Sequence, residues 1–289
     1  AGVTGYGTYV LDTVWGYPRL DVNEQSDADD SIFKLNVAYD LTDDASIYYT
    51  WSEGYRPGGI NRAIGMDGSG NVTAPRVYKP DFLTNNELGW KTVWADNTIR
   101  WNGAMYHMQW EDLQFTQYDA ATYNSPVGLT TNAAQALIRG YETDITWQAS
   151  DNLRLAVAAS YNDAVLDEEF ALASNYSQKG APLPNVPKLK YNLTARYDVM
   201  VGSYDMHLQG VYAFVDNRVN NIWENQARAL DEYENLNLSA GLSKGQWSIN
   251  AYINNVMDER AELARFNGWD TTITTNRPRT AGVSLSVRY

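Results

Sequence analysis

The last ten residues of the chain alternate strictly between two kinds of side chain. Every second residue from Ala281 to Tyr289 is apolar or aromatic, and the residues between them, from Thr280 to Arg288, are polar, charged or glycine. A period of two is the geometry of a β-strand, because successive side chains leave opposite faces of the pleat. The same alternation recurs along the chain and predicts twelve strands, at about residues 5–15, 31–40, 46–53, 84–94, 98–117, 136–148, 153–165, 188–199, 204–217, 234–243, 246–255 and 280–289.

The connections between the predicted strands alternate strictly between short and long. The short turns are residues 41–44, 96–97, 150–152, 200–203 and 243–245. The long connections are residues 16–30, 54–83, 118–135, 166–187, 218–233 and 256–279. A soluble sandwich with Greek-key links has no reason to alternate in this way. An up-and-down outer-membrane barrel does, because its periplasmic turns are short and its extracellular loops are long. The predicted fold class is therefore all-β, an antiparallel up-and-down transmembrane β-barrel.

Aromatic residues stand where several predicted strands meet the short turns. They are Tyr39, Trp94, Trp147, Tyr197 and the C-terminal Tyr289. This placement is typical of the girdle that marks a membrane interface. If the last strand ends in the periplasm, the short turns are periplasmic and the long connections lie outside the cell. We therefore expect the protein in the outer membrane of a Gram-negative bacterium.

Composition excludes several other classes. The 289 residues include no cysteine, which rules out disulfides and thiolate metal sites. No uninterrupted apolar run approaches the roughly 20 residues of a membrane helix. The formal net charge of −13 argues against nucleic acid as a partner, because nucleic acid requires a basic groove. A solvated acidic surface explains this charge.

Four stretches of sequence carry a resemblance to a known family. They are residues 48–61 (YYTWSEGYRPGGIN), 87–91 (ELGWK), 139–144 (RGYETD), and 254–259 (NNVMDE) taken together with 277–285 (RPRTAGVSL). The chain resembles the C-terminal half of the TonB-dependent outer-membrane receptors, which actively import iron chelates and other bulky nutrients. The family usually ends in Phe, whereas this sequence ends in Tyr289, which retains the ring.

The resemblance implies that residues 1–289 are the C-terminal portion of a 22-stranded barrel that is filled by an N-terminal plug. It implies that the plug, its energy-coupling box and the early strands lie outside this chain. The expected cargo is a ferric siderophore, and energy would come from the TonB complex acting through the plug. The other expected partners are outer-membrane lipid, lipopolysaccharide and the remaining barrel strands. No cofactor and no enzymatic activity are expected.

An open arc of twelve strands would leave unpaired backbone groups in hydrocarbon, which is costly. Three arrangements avoid this cost: the chain is part of a longer polypeptide, it pairs with the other part of the barrel, or it closes on itself.

Other functions stay open at the level of sequence. Within transport, the alternative cargo is an oligosaccharide or cobalamin. A twelve-stranded hydrolase would need His107 or His207 beside a serine and an acid, and no local motif supports this. A passive pore is a third class. The stretch 67–71 (DGSGN) has a faint calcium-loop composition without the remaining ligand spacing, so we interpret it as a loop tip and predict no metal site.

Ligand binding is expected at the outer ends of the strands and in the long loops, where aromatic and basic groups would stack on or pair with an anionic chelate. The candidates are Tyr55, Arg56, Asn61, Tyr118, Trp223, Asn225, Arg265 and Trp269. For Arg56 and Arg279 two interpretations remain: they hold the plug through charge pairs, or they pair strands within the barrel wall.

Overall fold

The computed structural model describes residues 30–61, 65–66, 72–74, 76–117, 128–172, 175–267 and 271–288. Eleven strands form one antiparallel sheet, which we call the wall. They are β1 (Lys34–Thr42), β2 (Ala45–Arg56), β3 (Asp81–Trp94), β4 (Ile99–Glu111), β5 (Ala136–Gln148), β6 (Leu153–Leu166), β7 (Leu189–Val201), β8 (Tyr204–Val215), β9 (Tyr233–Lys244), β10 (Trp247–Asn254) and β11 (Thr280–Val287). Each wall strand pairs with the next one along the chain, so the wall is an up-and-down meander. Among the residues described, no helix has the length and apolarity needed to cross a membrane.

Eleven of the twelve predicted strands are confirmed, and the predicted strand at 5–15 lies outside the described residues. One prediction is wrong in its bounds. The segment 98–117 divides, because Asp112 adopts a left-handed conformation with φ of 52° just after β4 ends. Residues Gln114–Gln117 then leave the wall and pair with Leu129–Asn132.

All five short connections lie at one edge of the wall, which we call the tight-turn edge, because the strands run alternately up and down. Gly202 and Gly245 occupy positive φ in two of these turns, at 63° and 58°, where glycine carries no Cβ penalty. The long connections lie at the opposite, long-loop edge. They contain short two-stranded pairings: Gly59–Ile60 with Val77–Tyr78, Gly65–Met66 with Val72–Ala74, Gln114–Gln117 with Leu129–Asn132, Phe170–Leu172 with Asn175–Ser177, Arg218–Val219 with Ala229–Leu230, and Glu262–Asn267 with Thr271–Thr275.

The strand register gives the wall an apolar face and a polar face. On the apolar face one row of paired residues crosses five strands as Leu285, Ile249, Leu242, Met206 and Val199. On the polar face the adjoining row reads Ser284, Asn250, Gly241, His207 and Asp198. Because side chains alternate along a strand, a shift of one residue in any pairing would break both rows.

Large aromatic side chains of the apolar face are exposed near the tight-turn edge. Among them are Tyr39, Trp94, Trp147 and Tyr197, as predicted, and also Trp247. Tyr289 lies outside the described residues. An exposed belt of Trp and Tyr at one level of an apolar surface is typical of a membrane interface.

Five glycines of the wall lie directly opposite an aromatic ring on the neighbouring strand. The pairs are Gly89 with Tyr48, Gly103 with Trp90, Gly140 with Tyr106, Gly241 with His207, and Gly282 with Tyr252. In each pair the ring occupies the space that a Cβ on the glycine would need. Rings that cover glycines in this way pin the strand register.

The two ends of the wall, β1 and β11, are not paired with each other in the part of the chain that the structure covers. Large apolar side chains of both strands are exposed, with Val37 exposed by 55% and Val283 by 73%. The wall is therefore open as described. Contact between the predicted strand at 5–15 and β11 is not tested, because residues 5–15 lie outside the described ranges.

Candidate functional site at the long-loop edge

A hydrophobic cluster joins the long connections after β4, β6 and β8 to the wall. We call it the loop cluster; its buried members are Leu113, Ala133, Ala136, Ala164, Leu166, Ala181, Leu183, Ile222 and Trp223. Trp223 is 1% exposed and stacks on Phe170 with ring centroids 4.7 Å apart, while Phe115 meets it edge-on at 6.5 Å. Because Ala136 and Ala164 belong to the polar face of β5 and β6, the loops fold over the outer end of that face.

Hydrogen bonds fasten two of these loops together. The main-chain N–H of Glu224 donates to the carbonyl of Tyr176 at 3.1 Å, and the N–H of Gln178 donates to Glu224 Oε1 at 2.8 Å. The Ser177 hydroxyl, which is buried, donates to the carbonyl of Ile222. Three hydrogen bonds therefore link segment 176–178 to segment 222–224.

Arg56 and Asp81 form a charge pair at the outer end of the polar face. They are register partners on β2 and β3, and Arg56 Nε lies 3.0 Å from both oxygens of Asp81. Asp81 is 1% exposed and also accepts the main-chain N–H of Gln114 at 3.0 Å. The Arg56 guanidinium lies 5.0 Å from the ring centroid of Trp110. Of the two interpretations of Arg56, the structure contains the pairing of strands within the wall.

Arg279 fastens the base of the connection 255–279. Its main-chain N–H donates to Asp258 Oδ1 at 2.8 Å, and its Nη1 donates to the carbonyl of Val256 at 3.2 Å. The Arg279 N–H, followed by the charges of Arg260 and Arg279, holds the pKa of Asp258 below its usual range. Arg279 therefore links the residues before β11 to the segment that follows β10.

Asn61 links two connections that are distant in sequence. Its Nδ2 donates to the carbonyl of Thr130 at 2.7 Å, and its Oδ1 accepts the N–H of Thr130 at 2.8 Å. Asn61 is 4% exposed. Gln114 and Asn132 add bonds nearby, since both side-chain amides donate to the carbonyl of Lys79 at 3.0 Å.

The remaining predicted ligand residues are dispersed. Tyr55 lies on the apolar face of β2, on the opposite side from Arg56, where its ring stacks on Phe82 with centroids 6.4 Å apart. Asn225 donates to Asn175 Oδ1 at 3.1 Å, and Arg265 pairs with Glu262 at 2.7 Å. Tyr118 and Trp269 lie outside the described residues.

The structure therefore gathers Asn61, Arg56, Trp223 and Asn225 into the loop region through contacts with other protein groups. Their role in ligand binding stays a prediction. Sequence reasoning missed Asp81, the buried partner of Arg56, and Gln114, which bridges three backbone carbonyls. Asp81 can be recognised as the partner of Arg56 only when the strand register that pairs residues 56 and 81 is known.

Below the loop cluster, the polar face holds a concavity of about 670 Å³. Charged and polar side chains line it, including Tyr48, Lys91, Glu142, Asp144 and Lys190. The Tyr48 hydroxyl donates to Glu87 Oε1 at 2.8 Å. The concavity is wide and carries charges of both signs, which suits contact with another protein segment better than enclosure of a small molecule.

The two histidines lie on opposite faces of the wall. His207 is on the polar face, over Gly241 and opposite Asp198, and His107 is on the apolar face opposite Arg139. Within the described ranges, neither side chain is hydrogen-bonded to a serine. No group of three or more histidine and acidic residues is placed to hold a metal ion in this part of the chain. The stretch 67–71 lies outside it.

Comparison with known proteins agrees with this architecture. The family model described as "TonB dependent receptor-like, beta-barrel" matches residues 6–256. The chain is 25% identical over 286 residues to the pesticin receptor of Yersinia enterocolitica, covering 95% of this chain and 38% of that receptor. It is 22% identical over 204 residues to the probable TonB-dependent siderophore receptor PiuA of Acinetobacter baumannii, covering 67% of this chain and 26% of PiuA.

The fold is similar to that of the ferric yersiniabactin uptake receptor FyuA from Yersinia pestis, with a TM-score of 0.69 and 20% identity. The likeness covers 88% of this chain and 36% of FyuA. This chain spans 38% of the length of the pesticin receptor and 36% of the length of FyuA. From the family match over most of its residues, the chain belongs to the TonB-dependent receptor-like β-barrel family.

Proposed function

We propose that this chain is the C-terminal portion of a TonB-dependent outer-membrane receptor that imports a ferric siderophore. The observation that carries the proposal is the family match over residues 6–256, taken with relatives that are named as receptors for pesticin and for a siderophore. The fold likeness to a ferric yersiniabactin uptake receptor is consistent with it.

The two faces of the wall support a position of this chain in the outer membrane of a Gram-negative bacterium. The continuous rows of Ile, Leu, Met and Val on the apolar face would meet lipid, and the belt that includes Trp94 and Trp247 would lie at the periplasmic interface. The polar face would line the lumen. The long-loop edge would then face outside, toward lipopolysaccharide and the incoming ligand.

The plug and the remaining barrel strands belong to the same proposal. The open ends of the wall, β1 and β11, would pair with further strands, because unpaired backbone groups are costly in hydrocarbon. The concavity that contains Glu142, Asp144 and Lys190 would receive the plug, through which the TonB complex supplies energy. The observation in favour is that this surface is open and carries charges of both signs.

Uptake of radioactive iron tests the proposed function. The gene for the full-length receptor is deleted in its host, and the strain is offered a panel of ferric siderophores. We expect loss of uptake for at least one chelate, recovery when the full-length gene is restored, and no recovery in a strain that also lacks TonB. Uptake at the parental rate for every chelate would contradict the proposal. A defect confined to uptake of an oligosaccharide or cobalamin would indicate that this compound, and not a ferric siderophore, is the substrate.

Two variants of the full-length receptor test the proposed binding side. Arg56→Gln removes a cation from the outer end of the polar face, while Tyr55→Ala changes a neighbouring residue on the apolar face. We expect weaker binding of an anionic ferric chelate for Arg56→Gln and unchanged binding for Tyr55→Ala. Because Arg56→Gln also leaves the buried Asp81 without its partner, Asp81→Asn is a second control, which breaks the same pair but keeps the cation. Equal loss of binding in Arg56→Gln and Asp81→Asn would indicate a structural effect and not a contact with ligand.

A further inference from the structure

Arg218 is a buried cation without a carboxylate partner among the residues that the structure describes. It begins the short strand Arg218–Val219 in the connection 216–232, and only 8% of its surface is exposed. Its Nη2 donates to the carbonyls of Glu262 and Leu263, at 2.9 Å each. Its guanidinium carbon lies 5.6 Å from the ring centroid of Tyr233. Its Nη1 is buried and makes no hydrogen bond.

Three other arginines of the long-loop edge have carboxylate partners. Arg56 pairs with Asp81, Arg265 pairs with Glu262 at 2.7 Å, and Arg260 pairs with Asp258 at 3.2 Å. The carboxylate of Glu262 is thus engaged by Arg265, and Arg218 binds only the neutral main chain beside it. Burying a charge without a counter-charge is unfavourable, so an anion from elsewhere would stabilise this place.

A second unpaired group flanks the same segment. Asn276 follows Thr275, the register partner of Glu262, and its main-chain N–H lies 3.4 Å from the carbonyl of Ala261. Both Nδ2 and Oδ1 of Asn276 are buried without a hydrogen-bond partner. Asn276 is therefore a second residue beside segment 261–263 whose side-chain amide has no hydrogen-bond partner among the described residues.

This place lies on the polar side of the wall, at its outer end. Tyr233 shares its side of β9 with Asn235 and Gly241, whose register partners belong to the polar face. Arg218 joins the connection 216–232 to the connection 255–279, so it stands where two long loops meet. A ligand that enters past these loops would reach Arg218 if they part by a small amount.

We propose that Arg218 is a concealed subsite for one carboxylate group. One cation with one unused donor nitrogen matches the single charge of a carboxylate, whereas a phosphate dianion would keep a second charge unpaired. On binding, the carboxylate would accept from Nη1 of Arg218 and neutralise its charge. The inference rests on the proposed function in one respect: the imported chelate is what supplies the carboxylate.

Chemical modification of the full-length receptor tests the subsite. The protein is treated with phenylglyoxal, which modifies accessible arginines, in sodium acetate and in sodium chloride of equal ionic strength. Modification of Arg218 and Arg260 is followed by peptide mass. Arg260 is the internal control, because it lies on the neighbouring loop and its side chain is 58% exposed. We expect acetate to slow modification of Arg218 by about fivefold, as for acetate at roughly four times its dissociation constant, and to leave Arg260 unchanged.

Three outcomes would overturn the subsite. Equal rates in the two salts mean that no carboxylate binds. Equal slowing of Arg218 and Arg260 means a general effect of the salt. Absence of modification of Arg218 in both salts means that the loops never part. The test does not depend on transport, so acetate protection without uptake of any chelate would leave the subsite standing while the proposed function fails.

Discussion

Replacement of Trp223 by alanine should open the loop cluster while leaving the wall intact. Trp223 is 1% exposed, and its ring contacts Phe170 and Phe115. Truncation of a buried Trp to Ala costs about 3–5 kcal/mol, and each aromatic contact supplies roughly 0.5–1.5 kcal/mol of that. Because every 1.4 kcal/mol is tenfold, the open population should rise by about two to three and a half orders of magnitude. The increase in the open population is limited by the free energy that stabilises the loop cluster in the wild type.

Hydrogen exchange on the full-length receptor measures this population. The reporters are the amides of Glu224 and Gln178, which bond across the two loops at 3.1 and 2.8 Å. Wall amides are the internal reference, since their strand ladder does not involve Trp223. Trp247→Ala is the matched control: the same residue type, 56% exposed and at the tight-turn edge. Unchanged protection of Glu224 and Gln178 in Trp223→Ala would refute the role of Trp223 as the centre of the loop cluster.

Three further predictions concern the wall and the loop bases. Gly89→Ala should destabilise the wall by about 1–3 kcal/mol, because the new Cβ meets the Tyr48 ring. Gly54→Ala should be near neutral, because no atom lies within 4 Å of its new Cβ. The unfolding temperatures of the two variants are compared on detergent gels. Asp81→Asn should lower the stability of the wall by about 3 kcal/mol, because Arg56 and the Gln114 N–H lose a buried carboxylate partner. Hydrogen exchange of the Gln114 amide should then be faster than in the control Asp198→Asn, which removes a carboxylate from an exposed pair. The pKa of Asp258 is lowered first by the Arg279 N–H, so its contribution to the stability of the loop base is present above the unfolded pKa of about 3.9 and is lost as the pH falls through the lower folded value. Proteolysis of residues 255–267 should then rise below about pH 4 in the wild type, and the rise should be absent in Asp258→Asn.

The wall could be predicted from sequence because each of its strands has two different environments. Leu285 and Ser284 differ in polarity because their side chains leave opposite faces of β11. The alternation of apolar and polar residues in the sequence therefore reveals the strand. The end of β4 was missed because Asp112 turns the chain by its own left-handed conformation, with φ of 52°. Alternation continues past that residue and hides the turn.

The long-loop edge was far less predictable. Asn61 bonds to Thr130 across 69 residues, and Asn225 bonds to Asn175 across 50, so their roles depend on which loops meet. The sequence predicts Trp223 as a ligand contact because aromatics in loops often stack on ligands, and its position at the centre of a packed cluster could not be predicted. Its role in ligand binding stays a prediction. The alternation of strands and connections located these loops but not the contacts inside them.

The last strand offers a way to interfere with the protein that avoids its ligand altogether. In the part of the chain that the structure covers, β11 pairs on one side with β10, so a further strand of the proposed barrel would pair with its other side by strand addition. A short extended peptide with alternating apolar residues would pair with that side and compete with the natural neighbour. Inhibitors built on this principle would act during assembly of the barrel and would not depend on which ligand the full-length protein binds.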